Sequence, residues 1–131
     1  MNLDPALVDV LRQLAAQHPN VRALYVFGSQ SSGHAGADSD VDVGVLYRTP
    51  EPLETTLALE DACERALGRR VDVVDVARAG AFLAFDIVRG ERAFCRDVAD
   101  TDRFELYVLA RAGDLLPFER QRQAALIEGQ R

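Results

Sequence analysis

Residues 21–47 read VRALYVFGSQSSGHAGADSDVDVGVLY, and the two ends of that stretch settle the class of domain. Val21–Phe27 is dense in β-branched and aromatic residues and reads as a strand. Gly28 to Asp38 is polar, with three glycines and three serines. It reads as a loop, with room for one helical turn after Ser29. Asp40–Tyr47 alternates strictly, as a second strand does. Val41, Val43 and Val45 then face one side, and Asp40, Asp42, Gly44 and Leu46 the other.

Working outward, Asp4 and Pro5 read as N-cap and first residue of a helix over 5–18. Its apolar stripe is Leu7, Val8, Leu11, Leu14 and Ala15, and Pro19–Asn20 ends it. After the Thr49-Pro50-Glu51-Pro52 connection, Leu59, Ala62, Cys63, Ala66 and Leu67 mark a helix over 53–67, and Gly68 suits its C′ position. Val71–Val76 is a third strand, Ala81–Arg89 a short helix, and Arg92–Cys95 a short fourth strand. From Asp100 the pattern is helical again, with Phe104, Tyr107, Val108 and Leu115 on one face. Gly113 and Pro117 predict a kink or break there. The order implies an α/β (α+β) domain: a small mixed sheet of three to four strands flanked by helices, with the acidic face open. A single domain is expected over 1–131, its core at about 5–96 and C-terminal helices at about 100–128.

Composition narrows the function classes. At 131 residues the chain can close a hydrophobic core without metal or disulfide. Its formal charge is −6, and it has no basic run longer than Arg69–Arg70, so free nucleic acid is not an expected partner. All fifteen cationic residues are arginine, which excludes a lysine nucleophile and a P-loop. Cys63 and Cys95 stand far apart without His or Cys neighbours, against zinc and against a disulfide. No apolar run reaches the length of a membrane span and no signal pattern opens the chain. A soluble, cytoplasmic protein is the expectation.

The chemistry concentrates in Gly28-Ser29, ten residues, then Asp40-Val41-Asp42. Asp40 and Asp42, two apart on a strand, project together and repel unless a cation lies between them. The third strand offers Asp72 and Asp75, of opposite parity. Only one can join the pair, and parity alone does not choose. Three such carboxylates would form an oxygen-rich cage suited to Mg²⁺. Two ions about 3.5–4 Å apart could activate a hydroxyl and stabilise leaving pyrophosphate. Gly28-Ser29, directly after a strand, offers close backbone approach and a hydroxyl to a phosphate.

The strings VFGSQSSGHAGADSDVDVGVL and RRVDVVDV resemble the minimal nucleotidyltransferases of the DNA polymerase beta-like superfamily. FDIVRGERAFCRD and DTDRFELYVLARAGDLLPFERQRQ are similar to one branch of that family, the antitoxins paired with HEPN-domain RNase toxins. The resemblance implies a palm-like fold and transfer of AMP from ATP onto a toxin tyrosine. It also implies roles: Gly28 and Ser29 on the nucleotide phosphates, Asp40 and Asp42 on both Mg²⁺ ions, and Asp72 as metal ligand and general base. One departure stands out. Relatives often carry an arginine shortly after Gly-Ser, where this chain has Gln30, Ser31 and Ser32; Arg69 and Arg70 are candidates to compensate.

Plainer roles are expected elsewhere. Asp75 falls outside the motif, as a solvated or capping residue. His34 reads as a solvated loop residue, and His18 as a partner of the helix dipole. Tyr107, Leu115, Leu116 and Phe118 either complete the core or leave a patch for a partner, and homo-oligomerisation stays open. Two other functions compete: a module that neutralises a toxin by contact alone, and an adenylyltransferase for a small molecule such as an aminoglycoside. The latter usually needs a further substrate-binding domain.

Overall fold

The computed structural model describes residues 3–28 and 40–128; in the last helix, side chains are described up to residue 115 and at 117, 121 and 122. Helix α1 (Pro5–Ala16) starts where Asp4 Oδ1 accepts from the Ala6 amide at 3.0 Å, an N-cap followed by proline at the first position. Strand β1 (Val21–Phe27) and strand β2 (Val41–Tyr47) follow. Helix α2 (Leu53–Leu67) closes at Gly68, whose φ of 65° is left-handed. Next come β3 (Val71–Asp75), a 3₁₀ turn (Val76–Arg78), α3 (Ala81–Val88), β4 (Glu91–Cys95) and α4 (Val98–Glu128).

The four strands lie in the order β3-β2-β1-β4. β1 is antiparallel to both of its neighbours, and β3 runs parallel to β2. A parallel neighbour needs a crossover, and α2 supplies it. The expected mixed α/β sheet is thus present, with the short fourth strand completing it.

Strand alternation builds a core on each face. Val41, Val43 and Val45 pack with Leu24 and Val26 against Leu7 and Leu11 of α1 and Leu59 and Cys63 of α2. The opposite set, Ala23, Tyr25 and Leu46, packs with Val76, with Ala84 and Ile87 of α3, and with Val108 of α4. This second core corrects the expectation of an open acidic face. Asp42 lies at the beginning of β2, but Leu46 further along the same side is apolar and requires cover. Alternation tells which residues share a side, not what lies on it.

Helix α4 is held by polar contacts as well. The hydroxyl of fully buried Tyr25 donates to Glu105 Oε2 at 2.6 Å, and Arg92 Nε donates to the same oxygen at 2.6 Å. Arg92 also pairs with Asp102. Burial, reinforced by the Glu105 carboxylate, pushes the Tyr25 phenol far above its ordinary range. Of the kink or break expected at Gly113 and Pro117, the break does not occur: α4 runs through both as one helix. Proline removes one ladder bond and crowds the carbonyl four residues earlier. Here that carbonyl belongs to Gly113, whose backbone relaxes most easily.

The outer edge of β3 is closed by α2. Glu64 accepts from the Val71 amide at 3.2 Å and Glu60 from the Val73 amide at 2.9 Å. These two edge amides are thereby withheld from a foreign strand. Among the described residues, no helix is long and apolar enough to cross a membrane.

Candidate active site

Register brings the acidic residues together. Phe27 of β1 lies opposite Asp42 of β2, and Asp42 lies opposite Asp72 of β3. Neighbouring residues in a ladder project to the same side, so Asp42 and Asp72 stand side by side. The choice that parity left open falls on Asp72. Asp75 is opposite Val45, whose side chain belongs to the other core. Its carboxylate caps the 3₁₀ turn, accepting from the Ala77 amide at 3.1 Å, with Arg78 Nε 3.7 Å away. Burial nevertheless raises the Asp75 carboxyl above its ordinary value.

Asp40 precedes β2 by one residue and is exposed, with Arg70 Nε 4.0 Å from its Oδ1. The Asp42 carboxyl is raised, first by burial, then by the charges of Asp72 and Asp40. That ordering is the signature of an anion cluster in partial shelter from water.

Gly28 directly follows β1 and lies against Asp42 of this row. Its φ is +70°, and a Cβ there would stand 2.8 Å from Asp42 Oδ2. The left-handed backbone favours glycine, and any side chain there would push the Asp42 carboxylate aside. The turn expected to meet phosphate and the carboxylates expected to meet metal therefore touch. Ser29 lies outside the described residues, as do Gln30, Ser31, Ser32 and His34.

The oxygen-rich cage expected from the sequence is not assembled among the described residues. Among the described residues, no group of three or more His, Cys, Asp or Glu side chains is gathered tightly enough to hold an ion. Asp42 and Asp72 instead make an open row, with Asp40 off the strand end near Arg70. This donor set fits Mg²⁺ in its usual mode, one or two carboxylates completed by substrate phosphates and water. It suits an ion that arrives with a triphosphate.

A cleft of about 400 Å³ adjoins Gly28, lined by Phe27, Asp86, Arg89 and Gly90. The pattern of residues 81–90 gave a helix and its end but no sign that Asp86 and Arg89 border this turn. Only the packing of α3 on β1 puts them there. A further hollow of about 450 Å³ lies at the other end of β2, between Arg22, Tyr47, Arg78 and Phe104, remote from the carboxylate row.

The chain is similar to known proteins in sequence and in fold. The chain is 38% identical over 69 residues to the protein adenylyltransferase MntA of Thermococcus cleftensis, covering 53% of this chain and 70% of the relative. Its fold matches a chain of a toxin–antitoxin complex with AMP-PNP at a TM-score of 0.78 and 23% identity, over 95% of this chain and 98% of the other. It also matches a chain of the tri-AMPylated Shewanella oneidensis HEPN toxin in complex with its MNT antitoxin. There the TM-score is 0.71 and the identity 21%, over 96% and 97% of the two chains. The family model for polymerase beta nucleotidyltransferases matches residues 10–99, spanning all four strands and the carboxylate row, and the chain belongs to that family.

Proposed function

We propose that this chain is a metal-dependent protein adenylyltransferase that moves AMP from ATP onto a tyrosine hydroxyl of a HEPN-domain RNase toxin in the cytoplasm, and so acts as its antitoxin. The observation that carries the reading is the contact of the Gly28 turn with Asp42, beside Asp72 in register. The relatives named above, an adenylyltransferase and antitoxins in complex with toxins, support the choice of nucleotide and acceptor.

Gly28, with Ser29 after it, holds the nucleotide phosphates, and Asp40, Asp42 and Asp72 hold divalent ions. When bound, those ions supply charge stabilisation to the attacking and leaving oxygens. Asp72, exposed at the edge of the row, takes the proton from the acceptor hydroxyl. The freed oxygen attacks the α-phosphorus, the bond from that phosphorus to the bridging oxygen breaks, and diphosphate departs. Residues 1–131 act as one unit in this reading, with α4 forming part of the surface that meets the toxin.

Labelled ATP, Mg²⁺ and a cognate HEPN toxin test it. We expect label on a toxin tyrosine, lost in the Asp40→Ala/Asp42→Ala variant together with neutralisation of the RNase. A well-folded toxin that takes up no label would overturn the transfer. A double variant that still neutralises fully would assign the effect to contact alone.

A further inference from the structure

We infer that Arg89, on the end of α3, supplies the cationic contact to the nucleotide phosphates that the loop after Gly28 lacks. The inference rests on the nucleotidyl-transfer reading above and adds a residue to it. From Gly28 to Asp40 the sequence contains neither arginine nor lysine. A triphosphate carries more negative charge than two divalent ions in an acidic row comfortably screen, so a nearby cation has work to do there.

Arg89 is the arginine that borders the Gly28 cleft. Arg70, another cation near the row, is directed at Asp40. Among the described residues, Arg89 forms no ion pair with a carboxylate, and its guanidinium lies over the Phe85 ring at 5.2 Å. Stacking on an aromatic face fixes the plane of a guanidinium while leaving its donors free, and that planar fork matches phosphate oxygens. The position is also fixed by the backbone. A Cβ at Gly90 would stand 2.3 Å from the Val26 carbonyl oxygen, so the end of α3 is pressed onto β1 beside the turn. Asp86, one helical turn earlier, lines the same cleft. Its charge opposes an anion there and gives the inference a second, opposite-signed handle.

The test is calorimetric titration of the full chain with ATP, ADP and AMP, with Mg²⁺ and with chelator. Arg89→Gln should weaken ATP binding by about tenfold, the scale of one charge-assisted contact, and by progressively less for ADP and AMP. Arg89→Lys should recover part of the loss. Asp86→Asn should tighten ATP binding about two- to threefold by removing a like charge. A merely structural arginine would give equal losses for all three nucleotides and no gain from Asp86→Asn, which would overturn the inference. Wild-type affinity in Arg89→Gln would also overturn it while leaving the transfer reading intact. Failure of the wild-type chain to bind ATP at all would overturn both.

Discussion

At the scale of single residues, Gly28 carries the most information. Alanine there would have to adopt a left-handed backbone and place its methyl 2.8 Å from an Asp42 oxygen. We expect Gly28→Ala to lose about 1–2 kcal/mol of stability from the backbone alone. Displacement of the carboxylate should also lower ATP affinity. Urea unfolding and nucleotide titration check this, and a variant that matches wild type in both would contradict the conformation. Cys63 gives an independent check on the core. It is fully buried between α2 and the sheet, and burial pushes its thiol up to about 11. A thiol reagent at neutral pH should therefore modify Cys63 only after denaturation, while the partly exposed Cys95 reacts in the native chain. Rapid native modification of Cys63 would mean that α2 does not stay packed on the sheet.

At the scale of elements, α4 depends on Glu105. Glu105→Ala would leave the Tyr25 hydroxyl buried without its acceptor and Arg92 without one of its two carboxylate partners. A loss of about 1–3 kcal/mol follows from stranding such groups, and Tyr25→Phe in the same background should recover part of it. A double-mutant cycle with no coupling would show that the contact does not hold the helix. The same tyrosine sets an alkaline limit. Its folded pKa is raised, so above the ordinary tyrosine value of about 10 the native state binds more protons than the unfolded one. Its contribution is full below that pH and falls as pH rises. Tyr25→Phe should flatten that decline in a pH series of urea midpoints. The caps, the strand alternation and the short fourth strand were legible in sequence because each depends on near neighbours. The continuity of α4 through Pro117 was not, since whether a proline stops a helix depends on how the carbonyl four residues back can relax.

At the scale of the whole molecule, the carboxylate row is a stability cost that ligand offsets. Without metal, Asp42 is partly buried beside two like charges. Asp42→Asn should therefore raise the melting temperature of the metal-free chain. The wild type should gain on addition of Mg²⁺ and ATP, by about 2.7 kcal/mol at a hundredfold excess over Kd, and the variant should gain far less. Equal gains in both would remove Asp42 from the site. The sequence by itself determined the order of elements, the place of Asp42 at the start of a strand with Asp40 just before it, and the glycine that directly follows the preceding strand. Periodicity and turn chemistry are local, and these features follow from residues a few positions apart. The tertiary structure alone decided that Asp72 rather than Asp75 stands beside Asp42, that α3 and α4 cover the face expected to be open, and that Arg89 borders Gly28. Those outcomes depend on strand register and helix seating, set by contacts between segments dozens of residues apart that no local pattern encodes.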